Sequence, residues 1–449
     1  MTATEVPTAV SPAPTPRDRA ETHFHALLFG VAALGAGVRL TYVLRDHRRF
    51  IGGDGWDYHN SALRLAKGLG YTSAIGDVGR PYAQHPPGWV TLLGFVSWLG
   101  GRSNRAHQLV GVVIGIGIVV VAGLIGRRYF SARVGVIAAV LAAIYPGFWV
   151  LEGNMLSEPL GLFVLGLLIL AVAGLRERPT LLGSIGVGAL CGLLALVRSE
   201  QLFLLLIVVV PVLLFAGKLT HRQRATFIVA AGLTCGLVIS PWTIYNTTRF
   251  RDPVILSTND GNLLVLGNCP STYSGKLLGF YDSRCLIRIK GSPDRSVLDR
   301  RAASQAIHNM THNVGRLPVV VPARFGRLLA VFRPSQTVRW VAEWMTTKEW
   351  LIWAWVASYW LLLPFAVIGA VKAFRKRMFI LPLVGPLLIV VITVAVSYGE
   401  PRYHTPSDLG VVVLAAFGID RLIARRGTGA TPMPSRIRLP SLRGTSESR

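Results

Sequence analysis

The sequence predicts an all-α membrane protein that crosses the bilayer many times. Of its 449 residues, 51% are hydrophobic and only 15% are charged, whereas soluble proteins average about a quarter charged residues. The mean hydropathy is +0.48, and many apolar runs approach the roughly 20 residues that a membrane helix needs. Helices are favoured because, in lipid, the backbone must satisfy its own hydrogen bonds.

The formal net charge of +25 does not require a nucleic acid partner. Basic residues also mark cytoplasmic loops and attract anionic headgroups, so we expect membrane lipids, and no nucleic acid, as partners. Residues 1–22 are rich in Pro, Thr and Ala and lack a signal-peptide pattern, which predicts a disordered cytoplasmic N-terminus before a retained anchor. Residues 425–449 are predicted to form a basic cytoplasmic tail.

Ten apolar runs predict membrane helices within a membrane domain of residues 23–424. They lie near 24–43, 107–126, 134–151, 159–175, 181–197, 201–217, 226–246, 349–371, 378–398 and 407–423. A further run at 87–100 has only about 14 residues, which is typical of an interfacial or re-entrant helix.

Basic residues in the short loops decide whether this run spans the membrane. If it does not, and the N-terminus is cytoplasmic, the inner short loops hold twelve basic residues. These are Arg127, Arg128, Arg133, Arg176, Arg178, Lys218, Arg222, Arg224, Lys372, Arg375, Lys376 and Arg377. The outer short loops hold only Arg198 and Arg402. The positive-inside bias therefore favours ten spans, with both termini cytoplasmic.

Two long segments fall on the predicted outer face, at 44–106 and 247–348. In the first, Tyr58, Ala62, Leu65 and Leu69 recur at helical spacing, which predicts an amphipathic helix at the membrane surface. Near the end of the second, four tryptophans predict an aromatic belt where the chain re-enters the bilayer: Trp340, Trp344, Trp350 and Trp353.

The four cysteines fall into two pairs. Cys191 and Cys235 lie in apolar runs and are interpreted as inert packing residues. Cys269 and Cys285 lie in the second outer segment, where a disulfide and two free thiols are both compatible with the sequence. No cysteine spacing indicates a metal site.

With this topology, ionisable and polar residues gather on the outer face. They are Asp54, Asp57, His59, Arg80, His85, Glu152, Asn154, Glu158, Arg198, Glu200, Glu400, Arg402, Tyr403 and His404. Such residues at membrane depth are costly and are usually functional or paired with one another. Mutual salt bridging is the simpler alternative for each, and Glu200 can pair locally with Arg198. His59 and His404 are interpreted as structural residues.

This set suits group transfer from an anionic lipid. A carboxylate can deprotonate an acceptor hydroxyl as a general base, and Arg can hold a phosphate leaving group through two hydrogen bonds. Asp54 precedes the predicted amphipathic helix, so we expect it to act as the N-cap, with its charge favoured by the helix dipole.

The motifs that carry these residues resemble those of the GT-C superfamily of membrane glycosyltransferases. They are similar to the branch of the protein-O-mannosyltransferases and lipid A aminoarabinose transferases. The motifs are GGDGWDYHNSALRLAKGLGY at 52–71, RPYAQHPPGW at 80–89, NMLSEP at 154–159, ALVRSEQ at 195–201, SPWTIYNTTRFRDPVILSTNDGNLLVLGN at 240–268 and EPRYHTP at 400–406. They occur in the expected order across roughly 24–423.

The resemblance implies a polyprenyl-phosphate-sugar donor and an inverting transfer on the outer face. It identifies Asp54 as the catalytic base and Glu158 as a second acidic site. It assigns His85, Arg198 and Arg402 to the donor phosphate. Many relatives carry an acid directly after the base, where this chain has Gly55; Asp57 is the candidate that could replace it.

Two other classes of function remain open at this stage. One is a transporter or flippase of lipid-linked sugars, which the absence of an internal repeat disfavours. The other is a non-catalytic relative. The acceptor could be a glycan, a glycolipid or a protein, and the sequence names no sugar. The sequence predicts no particular cofactor, although Asp54 and Glu158 could together hold a divalent cation.

Overall fold

The computed structural model describes residues 22–45, 51–74, 78–217, 219–287 and 294–426. Within these residues the chain is helical, and the only β-pairing is an isolated bridge between Thr72 and Pro81. The predicted all-α class is confirmed. Three parts of the sequence predictions lie outside the described residues: the N-terminal segment apart from Thr22, the tail after Arg426, and Lys218, which was counted among the basic residues of the inner loops.

The helices are numbered in chain order. Those of the first half are α1 (Phe24–Arg45), α2 (Gly53–Ala66), α3 (Pro87–Trp98), α4 (Asn104–Tyr129), α5 (Ala132–Ile144), α6 (Pro146–Gly153), α7 (Glu158–Glu177), α8 (Leu181–Ala195) and α9 (Val210–Leu214). Those of the second half are α10 (His221–Thr247), α11 (Asp260–Gly267), α12 (Arg284–Ile287), α13 (Arg295–His312), α14 (Leu317–Leu328), α15 (Pro334–Trp344), α16 (Glu349–Arg375), α17 (Leu381–Val396) and α18 (Thr405–Arg426).

Among the described residues, α1, α4, α7, α10 and α16 are each long and apolar enough to cross a membrane, which gives five spans by length and composition. The number rises to six if α5 and α6 form one span, and α8, α17 and the helical segment Ser199–Leu214 are shorter apolar helices. Helices occupy all ten predicted runs, but the count of ten spans stays a prediction. The short run at 87–100 forms α3, with 12 residues.

The outer surface of the helix bundle is strongly apolar. On α1, Phe29 is 77% exposed, and on α10, Leu233 and Leu237 are 70% and 71% exposed. Large apolar side chains this exposed, on helices long enough to cross a bilayer, are what lipid tails would cover. The chain is a multi-pass membrane protein.

Two predicted spans depart from a regular α-helix, in each case beside a proline. The run 134–151 is two helices, α5 and α6, bent by 45° at Tyr145. Pro146 disfavours the helical conformation for the residue before it, and Tyr145 accordingly has a ψ of 113°. The run 201–217 begins as a 3-10 turn, Ser199–Phe203, and continues as a π-helix, Leu205–Val209. Pro211 cannot donate the hydrogen bond that would close an α-turn there.

Small residues allow the long helices to pack closely. Gly369 of α16 lies against the carbonyl of Leu414 of α18, and Gly418 of α18 lies against the carbonyl of Phe365. A side chain at either glycine would overlap the opposite backbone. Close backbone approach at small residues is how helices associate in lipid, where apolar burial gives little gain.

The second long segment forms a helical cap over one end of the bundle. It contains α11 to α15 and a disulfide between Cys269 and Cys285, whose Cα atoms are 6.4 Å apart. Cys191 and Cys235 are free and buried, as expected for packing residues. The predicted aromatic belt stays a prediction: Trp344 lies on α15 and contacts Glu400 and Arg402, and Trp350 is 62% exposed on α16.

Candidate active site

Helix α2 supplies two carboxylates to the site, and glycines fix where it begins. Gly53 has a φ of +55°, a conformation that glycine adopts without steric cost, and the ring of Trp344 fills the space beside it. A Cβ atom at Gly55 would overlap the carbonyl oxygen of Asn154. No acidic side chain therefore fits at position 55 on this backbone, and Asp57 is the second acid of the helix.

Asp54 lies in the first turn of α2. The prediction that it is the N-cap is wrong, because the helix begins one residue earlier and the N-cap is Gly52, with no side-chain hydrogen bond. The unpaired N–H groups of the first turn still favour a negative charge at Asp54. Its side chain is 27% exposed.

Arg402 joins two carboxylates that are far apart in the sequence. Its Nη2 donates to Oδ2 of Asp54 at 2.8 Å, and its Nε lies 3.2 Å from Oε1 of Glu158. The side chains of Arg402 and Glu158 are only 12% and 3% exposed. Removal from water strengthens such charge-assisted contacts and makes each partner costly to lose.

Arg198 extends this network on the far side of Glu158. Its Nη1 donates to Oε1 of Glu158 at 2.8 Å, and its Nε donates to Oε1 of Glu200 at 2.8 Å. The expected local pairing of Glu200 with Arg198 is therefore present. Acids and bases alternate from Asp54 through Arg402, Glu158 and Arg198 to Glu200.

His85 lies beside the acids of α2. Its Nε2 is 3.9 Å from Oδ1 of Asp54 and 3.8 Å from Oδ2 of Asp57. Its ring packs against the ring of Tyr58, with centroids 4.6 Å apart. The hydroxyl of Tyr82 donates to Oδ2 of Asp57 at 2.6 Å. His85 thus lies between the two aspartates without a hydrogen bond from Nε2 to either, and Tyr82 fixes the second.

The two aspartates have opposite pKa shifts. Burial alone would raise the pKa of Asp54, but Arg402, His85 and Arg198 outweigh it and lower the pKa to about 2. Burial dominates at Asp57 and raises its pKa, despite His85 and Tyr82. Asp54 is therefore firmly ionised at neutral pH, and Asp57 is less strongly so.

The turn that carries Arg402 is held by buried hydrogen bonds. Trp344 donates its indole N–H to Oε1 of Glu400 at 2.6 Å, and the guanidinium of Arg402 lies 4.8 Å from the Trp344 ring centroid. Burial raises the pKa of Glu400 to about 7. On the other side of the turn, Nδ1 of His404 lies 2.6 Å from Oδ1 of Asp408.

The structure thus brings together all the side chains predicted for the base, the second acids and the donor phosphate: Asp54, Asp57, His85, Glu158, Arg198 and Arg402. Other members of the predicted polar set lie apart from it. Glu152 pairs with Arg39 at 2.7 Å in the bundle interior. His59 contacts His107, with their Nδ1 atoms 3.0 Å apart.

Sequence reasoning missed Tyr82 and Trp344. Tyr82 stands three residues before His85 in a motif already singled out, so its position was a usable signal. Trp344 had no such signal, because its role depends on α15 packing against a turn distant in the chain.

The carboxylates are arranged around arginine. Within the described residues, no group of three or more His, Cys, Asp and Glu side chains could hold a metal ion. Asp54 and Glu158 were the candidates for holding a divalent cation. Both contact Arg402, whose guanidinium supplies a positive charge between them.

A narrow pocket leads from the ionic network into the apolar bundle. Glu158 and Arg198 line its polar end, and Leu162 and Leu165 of α7 line its apolar wall. Charged and apolar side chains thus lie side by side here, and the pocket itself, at about 10 Å³, has room for only about one water molecule.

Comparisons with known proteins agree with this architecture. A family model described as dolichyl-phosphate-mannose-protein mannosyltransferase matches residues 84–245, less than half of the chain. That range contains His85, Glu158 and Arg198 and excludes Asp54 and Arg402. Comparison with curated protein sequences gave no match.

Among solved structures, the oligosaccharyltransferase of Archaeoglobus fulgidus in its apo form matches with a TM-score of 0.53 and 14% identity, over 90% of this chain and 51% of that one. The same enzyme in complex with Zn and sulfate matches with a TM-score of 0.50 and 15% identity, over 88% of this chain and 49% of that one. This chain thus spans about half the length of the oligosaccharyltransferase.

ArnT from Cupriavidus metallidurans bound to undecaprenyl phosphate matches with a TM-score of 0.40 and 15% identity, over 90% of this chain and 79% of that one. The fold assignment depends on the oligosaccharyltransferase, whose TM-scores are higher. The chain therefore has the GT-C fold that its motifs predicted.

Proposed function

We propose that this protein transfers a sugar from a polyprenyl phosphate to an acceptor hydroxyl on the outer face of the membrane, with inversion at the anomeric carbon. The observation that carries the proposal is the meeting of an ionised aspartate with two buried arginines at one point. Transfer from a phosphate-linked donor needs a base for the acceptor and cations for the leaving group.

The donor phosphate would bind between Arg198 and Arg402, with the prenyl chain along the apolar wall formed by Leu162 and Leu165. Arginine suits this role because its planar fork can donate two hydrogen bonds to a phosphate. His85 lies on the Asp54 side of the network. We therefore place it nearer the transferred sugar, with the phosphate left to the two arginines.

Donor binding would also activate Asp54. A carboxylate with a pKa of about 2 is a weak base, since efficient proton transfer requires a pKa closer to the working pH. The cause of the low value is chiefly Arg402, acting against burial. A phosphate that shares Arg402 would weaken its hold on Asp54 and raise the pKa of that carboxyl.

In the reaction, the acceptor oxygen forms a bond to the anomeric carbon while the bond from that carbon to the phosphate oxygen breaks. Asp54 takes the hydroxyl proton, and polyprenyl phosphate leaves with the electron pair of the broken bond, stabilised by Arg198 and Arg402. Attack from the side opposite the phosphate gives inversion. Asp57, held by Tyr82 at 2.6 Å, would orient the acceptor.

The test is to profile lipid-linked sugars in cells that lack the protein and in cells complemented with wild type or Asp54→Asn. We expect one polyprenyl-phosphate sugar to accumulate without the protein and to return to normal with wild type. Loss of a general base reduces rates by about 10²- to 10⁴-fold, so Asp54→Asn should leave the donor accumulated.

A matched control is Asp252→Asn, which changes an acid of the second long segment that is paired with the exposed Arg300 at 3.0 Å. It should restore donor levels fully. Restoration by Asp54→Asn at wild-type protein levels would remove Asp54 as the base. Unchanged lipid-linked sugars in cells without the protein would count against transfer itself.

A further inference from the structure

A second charged pocket lies on the same end of the molecule, formed by arginines from three separate parts of the chain. Arg80, Arg249, Arg251 and Arg295 line a pocket of about 200 Å³. Arg80 comes from the loop before α3, Arg249 and Arg251 follow α10, and Arg295 begins α13. The volume is smaller than that of most ligand pockets, which suits a small charged group.

The positive charge of this pocket is not balanced. Among the described residues that line it, Asp294 is the only acid. Its carboxylate already accepts hydrogen bonds from the backbone N–H of Arg251 at 2.9 Å and from the hydroxyl of Ser296 at 2.6 Å. Even if Asp294 is counted fully against the four guanidinium groups, three positive charges remain.

Nearby arginines outside the pocket contrast with these four. Arg284 pairs with Asp282 at 2.8 Å, and Arg300 pairs with Asp252 at 3.0 Å. Within the described part of the chain, no ion pair joins any of the four pocket arginines to an acid. Like charges held together repel, so the fold maintains an arrangement that an anion would stabilise.

Arg249 gives the clearest sign of an unfilled position. Its Nη2 donates to the carbonyl of Tyr71, and its guanidinium stacks 4.3 Å from the ring centroid of Tyr245. These contacts hold the side chain in one place. Its Nη1 is buried from solvent and has no hydrogen-bond partner among the described atoms, although a buried donor is normally satisfied.

The pocket adjoins the candidate active site. Arg80 is two residues before Tyr82, whose hydroxyl donates to Asp57. Burial raises the pKa of Asp57, and Arg295 is among the groups close enough to oppose this rise. An anion in the pocket would therefore lie within electrostatic reach of the carboxylate that we assign to the acceptor.

We propose that the pocket formed by Arg80, Arg249, Arg251 and Arg295 binds an anion and holds a phosphate or carboxylate group of the acceptor. The second half of this statement depends on the proposed transfer, whereas the anion site does not. The acceptor is then an anionic molecule, such as a phosphate-bearing glycolipid or an acidic glycan, whose hydroxyl is presented beside Asp57. Bidentate arginine contacts favour planar or tetrahedral oxyanions of this kind.

The experiment measures binding of inorganic phosphate to full-length protein in neutral detergent, by equilibrium dialysis at constant ionic strength. We expect about one saturable phosphate per chain at this pocket, counted apart from any phosphate that Arg198 and Arg402 hold and recognised by its dependence on Arg295 and Arg80. Arg295→Gln and Arg80→Gln should each weaken it by about tenfold or more, as expected for loss of a hydrogen bond to a charged group. Arg300→Gln removes the same charge outside the pocket and should bind phosphate as wild type does.

Two further arms identify the source of the anion. Nanodiscs made with phosphatidylglycerol and with phosphatidylcholine are compared. If wild type binds phosphate in phosphatidylcholine and not in phosphatidylglycerol, and Arg295→Gln binds it in neither, the occupant is a lipid headgroup. If wild type binds phosphate equally in both lipids, the occupant is a soluble or glycan-borne anion. Either result supports an anion site. Equal phosphate binding by wild type, Arg295→Gln and Arg80→Gln, or none by wild type in detergent, would overturn it.

Asp54→Asn separates this proposal from the proposed function. It should keep the phosphate binding that depends on Arg295, because Asp54 does not line the pocket. If Asp54→Asn restores donor levels in cells yet phosphate binding still depends on Arg295, the base assignment fails and the anion site stands. If transfer depends on Asp54 and Arg295→Gln leaves phosphate binding unchanged, only the anion site fails.

Discussion

Substitution of Arg402 by glutamine tests the ionic network without knowledge of the sugar or the acceptor. Arg402 contacts Asp54 at 2.8 Å and Glu158 at 3.2 Å, and the Glu158 side chain is only 3% exposed. In Arg402→Gln both carboxylates lose this guanidinium, although Glu158 keeps Arg198. We expect a large loss of stability at neutral pH, because a buried charge without its partner is costly.

The size of the effect can be estimated in two ways. Breaking a buried ion pair by removal of one partner typically costs about 3–5 kcal/mol. For Asp54 alone, the folded pKa of about 2 against the usual 3.8 corresponds to about 2–3 kcal/mol, at about 1.4 kcal/mol for each pKa unit. The second figure covers only one of the two carboxylates, so the estimates agree.

The pH dependence has a definite sign. In wild type the folded pKa of Asp54 is depressed, so its contribution to stability is present above about pH 4 and is lost as pH falls toward 2. Without Arg402, burial raises the pKa of Asp54, and ionisation then opposes folding. The deficit of the variant relative to wild type should therefore be greatest near pH 7.5 and smaller near pH 5.

The measurement is the apparent Tm of detergent-purified protein at several pH values between 5 and 7.5. Arg300→Gln is the control, because Arg300 is 70% exposed and pairs with Asp252 at the surface, where such pairs contribute about 0–1 kcal/mol. If Arg402→Gln melts no lower than this control, or lower by the same amount at every pH, the account of the network is wrong.

Three other predictions concern the glycine, the disulfide and the charge between the carboxylates. Gly55→Asp should prevent correct folding or strongly lower the Tm, because its Cβ would overlap the Asn154 carbonyl. The control Gly174→Ala, with open space around it, should have little effect. Normal folding of Gly55→Asp would refute the steric explanation. Reduction of the Cys269–Cys285 bond, which joins residues 16 apart, should destabilise the cap by about 3 kcal/mol, seen as earlier proteolysis of that segment; equal proteolysis with and without reductant would contradict this. Chelation of divalent cations should leave donor turnover in membranes unchanged, since an arginine bridges the two candidate carboxylates; loss of turnover restored by added Mg²⁺ or Mn²⁺ would show that this charge is insufficient.

Much of the site could be predicted because its chemistry is local to short motifs. Asp54 and Asp57 follow the first apolar run, and Glu158, Arg198 and Arg402 each stand at the end of another. Ionisable residues are so costly in lipid that their positions in an apolar chain carry strong information. The topology then predicted which of them share a face, and these residues do lie together.

The pairing of individual side chains was not predictable. The assignment of His85, Arg198 and Arg402 to the donor phosphate stays a prediction, but the sequence did not reveal that Nε2 of His85 lies 3.9 Å from Asp54 and 3.8 Å from Asp57. The sequence also left unexplained why position 55 carries no acid, which follows from the approach of α2 to the Asn154 carbonyl. Both results depend on the packing of segments that are distant in sequence, to within one or two ångströms. The periodicity of a sequence does not contain information of that precision.

The sequence by itself determined the membrane class, the helical fold and the candidate residues, because hydropathy and the cost of burying charge act residue by residue. Only the tertiary structure decided that Arg402 bridges Asp54 and Glu158, that Trp344 supports the turn bearing Arg402, and that arginines from three segments form a second pocket. Those outcomes depend on contacts between segments far apart in the chain, and such contacts exist only once the helices have packed.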